Sequence, residues 1–96
     1  LLNQAKELGT YLHEKLTELK KVSNQIEEVR GLGLLQGIVT KQKASKVVEA
    51  ARKQNLLLLT AGQDVVRILP PLTTTKAEID QCSQILTKIF KYSLED

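Results

Sequence analysis

Tryptophan and methionine are missing from this chain, and cysteine and histidine occur once each, as Cys82 and His13. A lone cysteine cannot close an internal disulfide or build a multi-cysteine metal site, and a lone histidine rules out a histidine-rich ligand set. Metal chemistry is thereby excluded. Two tyrosines and one phenylalanine leave no aromatic platform on which nucleobases could stack. No apolar run approaches the length of a membrane span, and no succession of basic, apolar and small residues marks a signal peptide. The expectation is a cytoplasmic protein with neither a membrane nor a nucleic acid as partner.

The net charge of +3 does not change that expectation. The 14 basic residues include only three arginines, Arg30, Arg52 and Arg67, and the lysines alternate with acids, as in KELGTYLHEKLTELKK. Such a pattern is a solvated face and not an electrostatic footprint. With 96 residues, 42% of them hydrophobic, the chain is one small domain, residues 1–96, with a modest core and little tolerance for cavities.

Leu1, Ala5, Leu8, Leu12, Leu16 and Leu19 fall at the three-and-four spacing of one helix face, which predicts a helix to about Lys21. His13 sits at the edge of that stripe, with no Asp or Ser partner nearby in sequence, and reads as a boundary residue. No capping residue precedes the Leu-Leu start and no initiator methionine is present, so the start reads as a cut through a longer protein. IEEVRGLG and LLQGIVT then predict a hairpin or bent strand pair. Gly31 and Gly33 make only G-x-G, and Gly37 lies inside a strand pattern, so the glycines read as bends or close packing and not as a phosphate loop. Ala44, Val47, Val48 and Ala51 mark a second helix, supported by Glu49 and Lys53 four apart and ended by Asn55 in the left-handed conformation. LLLLT, residues 56–60, predicts a buried strand. Thr75 and Glu78 form a capping box ahead of Ile79, Cys82, Ile85, Leu86, Ile89 and Phe90, so a last helix begins near Lys76. Cys82 belongs to its apolar stripe, without a histidine to activate it. The order helix-strand-strand-helix-strand-strand-helix describes an α+β domain, a small, largely antiparallel sheet covered by helices on one side.

VVRILPPL, residues 65–72, holds the one candidate for chemistry. Alternation puts Val65, Arg67 and Leu69 on one face of a strand and Val66 and Ile68 on the other, and Pro70 and Pro71 end it. Leu69 reads as part of the core. An arginine cannot lose its charge, so Arg67 needs solvent or an anion, and its planar fork of donors suits a carboxylate. Spacing alone favours the plainer reading, an edge-strand charge pointing into water.

Three segments, VRGLGLLQGI at 29–38, QNLLLLTAG at 54–62 and VVRILPPLTTTKAEID at 65–80, resemble the C-terminal small domain of the class III, pyridoxal-phosphate-dependent aminotransferases. The motifs stand in the family's order, and the resemblance covers essentially the whole chain. The T-A-G turn looks most like the acetylornithine branch. Ornithine aminotransferases more often carry a different turn and Arg-Phe-Ala-Pro-Pro, while 4-aminobutyrate and related branches have similar segments. Asn55 stands where the family usually has glycine, and both tolerate a left-handed backbone.

The resemblance implies that Arg67 reaches into the active site and binds the α-carboxylate of the amino-acid or 2-oxo-acid substrate. Arg30 has no motif-level role and reads as structural. In the family, the Schiff-base lysine, the acidic partner of the pyridine nitrogen and most of the phosphate cradle lie on a large domain, and none of the lysines here matches that lysine's motif. The resemblance therefore implies a C-terminal fragment, monomeric, inactive and without cofactor on its own. Its parent would be a homodimer using pyridoxal 5'-phosphate to pass the amino group of N-acetylornithine to 2-oxoglutarate in arginine biosynthesis. The alternatives are the same domain of another class III aminotransferase, for ornithine or 4-aminobutyrate, and a non-catalytic α+β regulatory or interaction module.

Overall fold

The computed structural model describes residues 2–93, so Leu1 and its place in the first stripe lie outside the described residues. Helix α1, Leu2–Val22, buries Ala5, Leu12, Leu16 and Leu19 and half-buries Leu8. It is followed by strands β1, Ile26–Leu32, and β2, Leu35–Thr40, helix α2, Ala44–Lys53, strands β3, Leu59–Thr60, and β4, Val65–Ile68, and helix α3, Lys76–Lys88. A short π-helical turn, Ile89–Ser93, extends α3. The element order is the one the sequence predicts.

The four strands form one antiparallel sheet in the order β1-β2-β4-β3. Leu12, Leu16 and Leu19 of α1, Val47 and Ala51 of α2, and Ile79 and Leu86 of α3 share a single buried cluster with Ile38, Val66 and Ile68 of the sheet. The helices therefore cover one face and leave the other open. In β1, Ile26 and Val29 both turn toward the helices although they are three residues apart. A bulge at Glu27 absorbs the odd spacing, since Ile26 pairs with Thr40 and Glu28 already with Val39.

Local chemistry accounts for the ends of the helices. Helix α2 ends in a Schellman motif: Leu56 N–H donates to the Ala51 carbonyl at 2.9 Å and Asn55 N–H to that of Arg52 at 3.0 Å, with Asn55 at φ 64°. At α3 the capping box is reciprocal. Glu78 N–H donates to Thr75 Oγ1 at 3.2 Å, and Thr75 N–H donates to Glu78 Oε1 at 2.9 Å. Thr75→Ala is expected to lower unfolding stability by about 1 kcal/mol, read as a shifted denaturant midpoint at constant slope. Helices α1 and α3 are tied by the Tyr11 hydroxyl, which donates to Asp80, and by Lys15 Nζ, 3.7 Å from the same carboxylate. The hydrogen bond to Asp80 raises the pKa of Tyr11, and the charge of Tyr11, with that of Asp80 behind it, raises the pKa of Lys15.

Gly9 carries no signal in the sequence, yet it sets how α1 meets the β1-β2 turn. A Cβ there would lie 2.4 Å from the backbone carbon and oxygen of Gly33, which itself has φ 58° at the turn. Backbone cannot swing aside as a side-chain tip can. Gly9→Ala is expected to destabilise the fold by about 1 to 3 kcal/mol, the usual range for overpacking, despite alanine's better helix propensity. An unchanged thermal midpoint would refute this close approach.

Three expectations are corrected. The LLLLT segment is not a buried strand: only Leu59 and Thr60 pair, both are exposed, and Leu57 is 85% exposed while Leu58 turns inward. Its backbone pairs on one side only, so alternation sends every second leucine out of the core. Leu69 is not core but 64% exposed, because β4 ends at Ile68 and the prolines carry the chain away. Glu49 pairs not with Lys53 but with Arg52, whose Nη2 stands 2.6 Å from its Oε1 and whose Nε donates to Oε2 at 3.1 Å. The guanidinium makes both contacts at once, which an ammonium cannot do, and it pulls the Glu49 pKa down.

Candidate functional site

Antiparallel register aligns Arg30 of β1 with Gly37 of β2, Gly37 with Arg67 of β4, and Arg67 with Leu59 of β3. Residues opposite one another share a face, and Val66 and Ile68 occupy the helix-covered side, so this row lies on the open side. With strands about 4.8 Å apart, the backbones of Arg30 and Arg67 stand about 10 Å apart. Gly37 adds no side chain between them, and the result is a trough of about 440 Å³ whose lining includes Arg30, Leu32, Leu35, Gly37, Val65 and Arg67. Packing does not forbid a side chain at Gly37. A Cβ there would rest in ordinary contact, 3.5 Å from Arg30 Cγ and 3.6 Å from Val65 Cγ1, and would raise the floor.

The two arginines differ in how their charge is met. Arg30 is held by Glu28 two residues back on the same face, with Nη2 3.3 Å from Oε1 and Nε 3.3 Å from Oε2. Arg67 is exposed and, among the described residues, makes no hydrogen bond or ion pair. A cation on a sheet face commonly takes an acidic partner across the strand, and here the cross-strand positions are Gly37 and Leu59. Arg67 therefore presents an unused planar fork to an incoming anion, at a fixed place on a hydrogen-bonded strand.

The other singled-out residues lie elsewhere. His13 is half-buried, and its Nδ1–H donates to Gln36 Oε1 at 2.7 Å. Gln36, 2% exposed, passes the link on as its Nε2 donates to the Gly33 carbonyl at 2.7 Å. This chain of bonds locks α1 to the hairpin and brings no nucleophile to the histidine. Cys82 edges a separate hollow of about 350 Å³ beside Leu57, Leu69, Pro70, Pro71 and Ile79. Burial pushes its thiol from the ordinary 9.0 up to about 11, so it stays protonated near neutral pH. That group leaves stability untouched below about pH 9 and withdraws it between 9 and about 11, as the folded state resists ionisation. Among the described residues no three His, Cys, Asp or Glu side chains gather as a metal site, and no helix is long and apolar enough to cross a membrane.

The trough also fails as a seat for pyridoxal phosphate. No lysine lines it, and the backbone beneath is strand, without the helix N-terminus that suits a phosphate group.

The antiparallel sheet with helices on one face is the fold of a known enzyme family. The chain belongs to the class-III aminotransferases, whose family model matches residues 1–90. Among its relatives, acetylornithine aminotransferase of Streptococcus mutans is 47% identical over 90 residues, 94% of this chain and 24% of its own length. A probable mitochondrial acetylornithine aminotransferase of Dictyostelium discoideum is 42% identical over 87 residues, 88% of this chain and 19% of its own. Among solved structures, Plasmodium falciparum ornithine δ-aminotransferase superposes with a TM-score of 0.87 at 32% identity, covering 93% of this chain and 24% of its own. Acetylornithine aminotransferase of Elizabethkingia anophelis gives 0.86 at 26%, covering 91% and 24%. The chain thus spans about a quarter or less of the length of these relatives.

Proposed function

We propose that this chain is the C-terminal domain of a longer, pyridoxal-phosphate-dependent acetylornithine aminotransferase, and that Arg67 binds the carboxylate of its substrates. The observation that carries the reading is the unpaired guanidinium of Arg67, held over Gly37 on the open face of a chain of this family. The parent transfers the amino group of N-acetylornithine to 2-oxoglutarate, a step of arginine biosynthesis. Pyridoxal phosphate, when bound, carries the amino group between the two substrates, and its seat belongs to the remaining large domain.

This chain's contribution is binding and orientation. Two parallel hydrogen bonds to a carboxylate fix both the position and the plane of that group, and so limit how the rest of the substrate can turn. Because Arg67 sits on a strand paired on both sides, its backbone gives little when a substrate binds. The same grip serves the amino acid and the oxo acid, since both carry a carboxylate.

The donor is the point that needs measurement, because the ornithine δ-aminotransferase of P. falciparum shares the fold at 32% identity. Glutamate formation by the full-length protein should be followed with 2-oxoglutarate and N-acetylornithine, ornithine or 4-aminobutyrate in turn. The expected result is the highest kcat/KM with N-acetylornithine. A preference for either other donor would move the chain to that branch, and no transfer from any of them would overturn all three assignments.

A further inference from the structure

The surroundings of Arg67 are as unusual as its lack of a partner. Its cross-strand neighbours are Gly37 and Leu59, and Val65 stands two residues before it on the same face. Leu35, two residues from Gly37 on that face, lines the same trough. Leu59, the cross-strand neighbour of Arg67 beside the trough, is 63% exposed and Leu35, in its lining, 46%, so both leave apolar surface on the face that carries Arg67 instead of filling the core. A strand cation normally lies among polar neighbours that share its hydration. This one has a glycine and a leucine directly across from it and a valine two residues before it, with Arg30 a full strand further off beyond Gly37.

We infer that Leu59 and Leu35 act as positioning residues that dry the carboxylate site, an inference that rests on the proposed role of Arg67. A carboxylate carried on an aliphatic stem can place its oxygens on the guanidinium and its carbon atoms against these leucines. Water is then displaced from both sides of the ion pair. An ion pair with less water around it is stronger and is less weakened by dissolved salt than one standing free on a surface. A small inorganic anion has no apolar stem to lay on the leucines, and so gains less from the same arginine. The collar therefore selects an organic carboxylate over a hydrated inorganic ion.

The test uses the full-length aminotransferase carrying Leu59→Ser or Leu35→Ser, with Leu72→Ser, an exposed leucine outside the trough, as control. Steady-state kinetics are measured for donor and 2-oxoglutarate at rising potassium chloride. Both collar variants should raise KM about three- to tenfold with kcat held, because they weaken binding common to ground and transition states. Their KM should also climb more steeply with chloride than wild type, a readout that a merely structural role would not move. The control should match wild type. Thermal melts accompany the kinetics, and Leu59→Thr and Leu35→Thr, which keep strand propensity, replace either serine variant that melts early. Wild-type KM and salt dependence in the collar variants, beside an impaired Arg67→Ala, would overturn the collar and leave the carboxylate role standing. An unimpaired Arg67→Ala would remove both.

Discussion

Arg67→Ala in the full-length aminotransferase is expected to lower kcat/KM about thirty- to a thousand-fold, because a charge-assisted contact to a substrate carboxylate is worth about 2 to 4 kcal/mol. On the proposed role, the alanine removes the ion pair with the substrate carboxylate and frees the substrate to turn. Arg67→Lys should also be impaired, though less, since an ammonium restores the charge but not the planar two-point grip. Stability should barely change, because the side chain is exposed and, among the described residues, makes no hydrogen bond or ion pair. Kinetics with both donor and 2-oxoglutarate varied, run beside thermal melts, decide the matter. Near wild-type kcat/KM for both substrates, or a loss explained by unfolding, would make Arg67 a surface charge only.

Leu86→Ala is the second large effect, with an expected loss of about 2 to 5 kcal/mol, a sizeable part of a small domain's stability. Leu86 is fully buried on α3, in the cluster where all three helices meet the sheet. Truncation leaves a cavity in surroundings too tightly packed to close on it. Leu69→Ala is the internal comparison: with its side chain mostly in water, it should stay within about 0.5 kcal/mol of wild type in this chain. Chemical denaturation of both variants of the 96-residue chain measures the contrast. Equal losses would mean that Leu69 is packed and that the observed end of β4 is misplaced.

Much of the fold was legible along the chain because helix stripes and caps are local. The spacing of Leu12, Leu16 and Leu19 defines a helix face whatever lies against it, and Thr75 with Glu78 satisfies orphan amides within a single turn. Asn55 likewise marks the end of α2 from its own backbone preference. The leucine run at 56–59 failed as a guide for the opposite reason. Four identical apolar side chains carry no alternation, so nothing local says which of them face inward. That depended on a two-residue pairing with β4 and on the absence, among the described residues, of a strand beyond it.

The candidate site divides in the same way. The residue type at position 67 was determined by the sequence: an arginine always charged, set in a β-branched run ended by prolines, has to meet water or an anion. The sequence also placed it opposite Val66 and Ile68, because alternation is a property of the strand itself. Only the tertiary structure decided what stands around it. Register across three separate segments puts Gly37 and Leu59 beside Arg67, whereas Arg30 finds Glu28 two residues back on its own strand, so that among the described residues one arginine is paired and the other open. Register is set by bulges, turns and the fit of distant strands, the bulge at Glu27 and the close approach of Gly9 to Gly33 among them. Contacts made far apart in sequence have no signature at either end until the chain has folded.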